Sequence, residues 1–242
     1  MKLPSHWNQI TVSQYKGLRK VFSEPSESIT ERYIDILIEV TDEDVENIED
    51  LPVVELKRVA TELAWLKNEP HKKYAKTIGD YTILDFKKVT WGMFIDLEHY
   101  YSKDYIVNME TICGILYRQN KVNEWGVTVI EPYEYDPIKR GEQFKELPIT
   151  SIYGVVTDYL DYRNYLINDA YIHLFSGGYD DEDEPLTPED RKAKAEEERF
   201  NKWAFESITL GLANDDLLKM REIMALPAIY VLNMLSMKAD TK

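Results

Sequence analysis

Histidine, cysteine and paired carboxylates are the side chains with which this chain could do chemistry, and their spacing argues against it. The four histidines, His6, His71, His99 and His173, are far apart and form no His-Glu-x-x-His pattern. With a single cysteine, Cys113, they offer no spacing typical of zinc. His99, flanked by Glu98 and Tyr100, reads as a helix-surface histidine, and Cys113, between Ile112 and Gly114, as a small core residue. Asp158 and Asp161 share a helix face and could serve as acid and base only if their surroundings pushed the two pKa values apart. Nothing near them in sequence does so, and a solvated face is expected. The acidic window 180–191 fails as a calcium loop: its sixth position is Pro185 where glycine makes the turn, and its twelfth is Arg191 where glutamate closes the site. No glycine-rich phosphate loop and no Gly-x-Ser-x-Gly elbow occurs. The expectation is therefore no catalytic, cofactor-binding or metal residues, and no enzyme.

The elements that would position any site are helical. Residues 6–18 align without gaps on 85–97, an offset of 79 that pairs Trp7 with Phe86, Ile10 with Val89, Thr11 with Thr90, Tyr15 with Phe94 and Leu18 with Leu97. The same offset matches Ile36 with Ile115 and Leu37 with Leu116. Leu51-Pro52-Val53 then matches Leu147-Pro148-Ile149 at offset 96, which leaves about 17 extra residues in the second copy. Thr11 and Thr90 suit helix N-caps, since a threonine oxygen accepts from first-turn amides, and Gln14 completes a capping box after Thr11. Second helices are expected over 29–39 and 107–118, and third helices from Pro52 and from Pro148, proline being well placed in a first turn. The fold class expected is mainly α: two pseudo-repeated three-helix units, about 5–70 and 84–175, forming a bundle within 1–176.

Between the copies, 74–84 is expected to form a small β-hairpin turning at Gly79-Asp80. The insertion 119–146 carries one strand-like run within 124–137 and a proline-bounded turn. A single long helix is expected over 148–175, with Tyr153, Tyr159, Tyr162, Tyr165 and Tyr171 packing in the core and against neighbouring helices. An acidic flexible linker follows over 177–199, holding 10 acidic against 4 basic residues. A small helical module, 200–242, ends the chain: one helix marked by Trp203, Ile208 and Leu212, a second capped by Asn214, and a third opened by Pro227. About 40 residues is marginal for independent stability, so this module should dock on its own chain or on a partner.

Of the 242 residues, 44% are hydrophobic, enough for a core. Against 44 acidic residues stand 29 basic ones, a net charge of −15 that argues against nucleic-acid binding and favours basic partners. The lone cysteine suits a reducing cytoplasm, and no run of 18 apolar residues or signal-peptide pattern suggests a membrane.

Three phrases carry a resemblance. They are Pro-x-x-Trp-x-x-Ile-Thr from Pro4, Val-Thr-Trp-Gly-x-Phe-Ile-Asp-Leu from Val89, and the terminal Trp203-Ala204-Phe205-Glu206-Ser207-Ile208 followed by Ile223-Met224-Ala225-Leu226-Pro227. With the order helical part, acidic linker and short helical module, the terminal phrase resembles the layout of tail assembly chaperones of tailed bacteriophages, especially their longer form, while the first two phrases resemble small helical morphogenesis proteins from phages of Gram-negative gut bacteria. The duplication and the inserted loop depart from the compact single unit usual there. The resemblance implies a non-catalytic protein of the bacterial host cytoplasm, without cofactor, which binds the tape-measure protein and recruits tail-tube subunits. Trp203, Ile208, Leu212, Leu217, Ile223, Met224, Ile229 and Leu232 would be its partner-binding residues. The alternative is a structural virion component of the tail or head–tail connector, in which a homo-oligomer would be expected.

Overall fold

The computed structural model describes residues 1–26, 28–41, 43–133, 136–175 and 203–241. The expected linker 177–199 lies outside them. The described chain is mainly helical with a small antiparallel sheet, and its contacts divide it into two compact units. The first unit is Met1–Leu84 with Tyr100–Leu160, the second Asp85–His99 with Asp161–Lys242. The C-terminal helices thus share a unit with residues 85–99.

Local chemistry starts the helices of the first unit. Gln14 N–H donates to Thr11 Oγ1 at 3.1 Å while Thr11 N–H donates to Gln14 Oε1 at 3.0 Å, the reciprocal box that opens Val12–Ser23. Ser28 Oγ accepts from Glu31 N–H at 3.1 Å and opens Ile29–Val40, whose Ile36, Leu37 and Val40 are buried. Pro52 precedes Val53–Glu62. The helix expected over 107–118 is shorter, Met109–Leu116, and all eight of its residues are buried. Such a helix can touch neighbours all round only if they come close. A Cβ added at Gly114 would lie 2.6 Å from Pro137 O and 2.8 Å from Gly141 N, so glycine is what lets the Pro137–Gly141 helix pack there.

Beyond Leu116 the chain turns into a strand, because β2 offers it an edge. The sheet runs β1 (Thr77–Ile78), β2 (Tyr81–Ile83), β3 (Tyr117–Val122), β4 (Thr128–Ile130), with every pairing antiparallel. Gly79 and Gly126, at φ +56° and +75°, make the two tight turns. β1–β2 is the expected hairpin, and β4 is the strand expected in the insertion. β3 replaces the end of the expected helix.

The single helix expected over 148–175 is four pieces: a 3₁₀ turn Ile149–Ser151, a helix Tyr153–Tyr165, a π-turn Leu166–Ala170 and a helix Ile172–Phe175. Its start is bonded to a distant segment. Val12 N–H donates to Leu147 O at 3.0 Å and Ile149 N–H to Ile10 O at 2.8 Å, so Thr11 and Pro148 form an isolated antiparallel bridge. The second unit repeats this clasp. Trp91 N–H donates to Leu226 O at 2.8 Å, Ala228 N–H to Val89 O at 2.9 Å, and Thr90 bridges Pro227. Both members of the pair are displaced by the same 79 residues, 11 to 90 and 148 to 227. The sequence alignment did not include Leu226-Pro227, the segment that Thr90 actually faces.

The C-terminal helices are Ala204–Leu212, Leu217–Met224 and Ala228–Asp240. Asn214 does not cap the second of them. It and Asp215 take left-handed φ values of 52° and 61° in the turn, and Asp216 Oδ1 accepts from Leu218 and Lys219 N–H at 2.9 and 3.3 Å. The two left-handed residues reverse the chain one residue pair before the cap.

Candidate interaction surface

The second unit is built around Trp91, which is fully buried. Its ring stacks on Phe94 (centroids 5.4 Å, 11° apart) and meets Phe205 edge-on at 5.6 Å. Its Nε1–H donates to Thr209 Oγ1 at 2.7 Å, and that hydroxyl donates to Phe205 O at 2.6 Å. A buried indole needs a partner for its N–H, and Thr209 supplies it from one turn beyond Phe205. Ala204–Leu212 is therefore fixed by one aromatic cluster and one hydrogen bond. Tyr171 O–H donates to Asn233 Oδ1 at 2.8 Å, and His173 Nε2 lies 2.9 Å from Ser236 Oγ, which ties Ile172–Phe175 to Ala228–Asp240.

The same unit holds a buried ion pair. Glu98 is 7% exposed and receives Arg163 in a fork, Nε to Oε1 at 2.8 Å and Nη2 to Oε2 at 2.6 Å. Burial pushes the Glu98 carboxyl above the usual carboxylate range, and the guanidinium only partly offsets that.

These helices enclose a cavity of about 610 Å³, with Trp91, Phe175, Phe205, Ile208, Leu212 and Leu235 among its lining. Its walls are mostly apolar, with Lys238 the charged side chain in its lining. A space of that size and character suits apolar side chains or a greasy ligand. Elsewhere on the same helices the apolar exposure is high: Trp203 at 53%, Leu217 at 74%, Leu218 at 77%, Tyr230 at 62% and Met237 at 71%. Met234 is exposed as well.

Of the residues expected to bind partners, Trp203, Ile208 and Leu217 are exposed, and Leu212, Ile223, Met224 and Ile229 are half-buried. Leu232 is fully buried and belongs to the core of the unit. Sequence reading passed over Leu218, Tyr230, Met234 and Met237. Tyr230, Met234 and Met237 stand at i, i+4 and i+7, a second apolar stripe on Ala228–Asp240 whose spacing was visible.

The residues weighed for chemistry are not brought together. All four histidines are exposed and separate in the chain's elements. Cys113 is fully buried, its thiol pushed well up by burial and further by the Glu110 charge, which leaves it inert. Asp158 lies against Tyr74, whose hydroxyl is raised by burial and by that carboxylate. Among the described residues no group of three or more histidine, cysteine or acidic side chains could hold a metal ion, and no helix is long and apolar enough to cross a membrane. The first unit has a smaller cavity, about 270 Å³, beside Trp7, Tyr15, Arg19, Phe22 and Glu69. Burial there raises the Tyr15 hydroxyl to about 12, and Tyr153 O–H donates to Glu69 Oε2 at 2.5 Å. Comparison with protein-family models, with curated proteins and with solved structures found no match to this chain.

Proposed function

We propose that the chain is a non-catalytic binding protein of bacteriophage tail assembly, acting in the cytoplasm of a bacterial host as a chaperone for the tape-measure protein and as a recruiter of tail-tube subunits. The observation that carries this reading is the set of large apolar side chains the C-terminal helices leave in solvent, Trp203, Leu217, Leu218, Tyr230 and Met237, on a chain of net charge −15. Burying such surface against a client helix releases roughly 25 cal/mol per Å² of apolar area. A large aromatic such as Trp203 is the residue type on which binding energy concentrates. The negative charge keeps a greasy complex from precipitating. The two clasps displaced by 79 residues support the reading of the helical part as an internal duplication.

The test is co-expression of the full chain with the tape-measure protein and the tube subunit. Point variants are better than a truncation after Ser176, which would strip Trp91 of Phe205 and Thr209. The client should co-purify with the unaltered chain and be lost with the double variant Leu217→Glu, Tyr230→Glu, at unchanged thermal stability. Finished particles should lack the chain by mass spectrometry. Recovery of the client by the double variant, or the chain as a stoichiometric component of particles, would contradict the chaperone reading; the latter would favour a virion subunit.

A further inference from the structure

Three Leu-Pro segments start helices in this chain with one backbone shape. Pro52, Pro148 and Pro227 stand at φ/ψ of −59/145°, −53/134° and −55/134°. Two of the three hold a visitor. Leu147 O and Ile149 N–H are taken by Val12 N–H and Ile10 O, and Leu226 O and Ala228 N–H by Trp91 N–H and Val89 O. The residue after the proline is accordingly shut away in both, Ile149 at 0% and Ala228 at 3% exposure. At the third segment the corresponding Val53 is 61% exposed and Val54 80%. Neither Leu51 C=O nor Val53 N–H makes a hydrogen bond among the described residues.

We infer that Leu51-Pro52-Val53 is a third seat of the same kind, and that it takes an extended segment from another protein: a β-branched residue, a threonine and an apolar residue, at the start of a helix and with basic residues beside it. The two seated segments define that chemistry. Ile10-Thr11-Val12 and Val89-Thr90-Trp91 both bury their flanking apolar residues, and in each the threonine oxygen accepts from a first-turn amide of the helix that follows. Lysines accompany both, Lys16 and Lys20 after the first and Lys87 and Lys88 before the second. The third seat is matched to such charge. Glu46, Glu49 and Asp50 stand exposed next to it, with no ion pair among the described residues. Both seated segments are committed to their own clasps, so a second copy could fill the seat only by opening one of them; a different chain need not. This seat is separate from the exposed apolar side chains of the C-terminal helices and stands or falls without them.

The probe is a labelled synthetic peptide of residues 5–23, titrated into the full chain by fluorescence anisotropy. Val53→Pro removes the donor yet keeps the helix start, because proline is favoured at that position. Saturable binding is expected, weakened roughly three- to tenfold by Val53→Pro, the worth of one hydrogen bond. A peptide N-methylated at Val12 should lose affinity similarly against the unaltered chain, which keeps the test independent of the variant's folding. Absence of binding, equal affinity for Val53→Pro, or indifference to the N-methyl group would overturn the inference; equal affinity would mean that the peptide displaces the resident segment at Leu147 instead.

Discussion

The two units close the same backbone clasp around different contents. In the first, Trp7 meets Tyr15 and Trp65 edge-on at 5.6 and 5.0 Å, Tyr15 meets Tyr153 at 5.8 Å, and Ile10, Val12, Ile149 and Ile152 are wholly buried. In the second, one indole organises the clasp, and the C-terminal helices keep large apolar side chains in solvent. A repeated helix start therefore fixes where a helix begins, not how much of it the unit covers. Apolar surface left over in the second unit is what a binding role needs; the first unit leaves large apolar side chains in solvent as well, Ile29 and Trp125 among them, besides its unoccupied Leu-Pro segment.

The sharpest way to break this comparison is to remove Arg163. Arg163→Ala leaves the Glu98 carboxylate buried without its partner, and urea unfolding should show the second unit destabilised by about 3–5 kcal/mol. Glu98 has its folded pKa raised, so its contribution favours folding below the ordinary value near 4.5 and is lost as pH rises through the folded value. The deficit of Arg163→Ala should accordingly shrink as the pH is lowered and Glu98 takes up a proton.

Next in size are two glycine substitutions chosen to differ between the units. Gly114→Ala drives a methyl into the backbone of Pro137 and Gly141, and should cost roughly 1–3 kcal/mol in the first unit. Gly211→Ala meets nothing within 4 Å and sits in a helix, so it should leave stability unchanged or raise it by up to about 1 kcal/mol. Equal costs in thermal melts would mean that the second unit is packed as tightly as the first.

The smallest effect concerns the hairpin β3–β4. Arg140 at 2.6 Å, helped by Lys121 at 2.5 Å, holds the Glu131 carboxyl down to about 2. A depressed folded pKa gives stability above the ordinary value near 4.5 that is lost as pH falls toward 2. Chemical shifts of the hairpin amides should follow that acid transition in the unaltered chain and lose it in Glu131→Gln.

Helix starts were legible where their causes are local: Thr11 with Gln14, and Pro52, each act within one turn. β3 was not, since Tyr117-Arg118-Gln119-Asn120-Lys121-Val122 has little strand patterning of its own and is a strand by pairing with β2 and β4. Its Arg118 is 1% exposed, donating to the Glu131 carbonyl at 3.1 Å with Tyr133 under its guanidinium, and no reading of a single arginine foretells that. The breaks in the helix expected over 148–175, a 3₁₀ turn at Ile149–Ser151 and a π-turn at Leu166–Ala170, have no signal in its apolar spacing. On Ala228–Asp240 the sequence did not separate the faces: Leu232, expected to bind partners, lies in the core, while Tyr230 and Met237 face solvent.

Hydrogen exchange on the purified complex with its client puts the central claim to the most direct trial. Amides of Leu217–Met224 and Ala228–Asp240 should slow on binding, whatever happens at Leu51–Val53. Unchanged exchange across those two helices in a complex that demonstrably forms would contradict the assignment of the binding face.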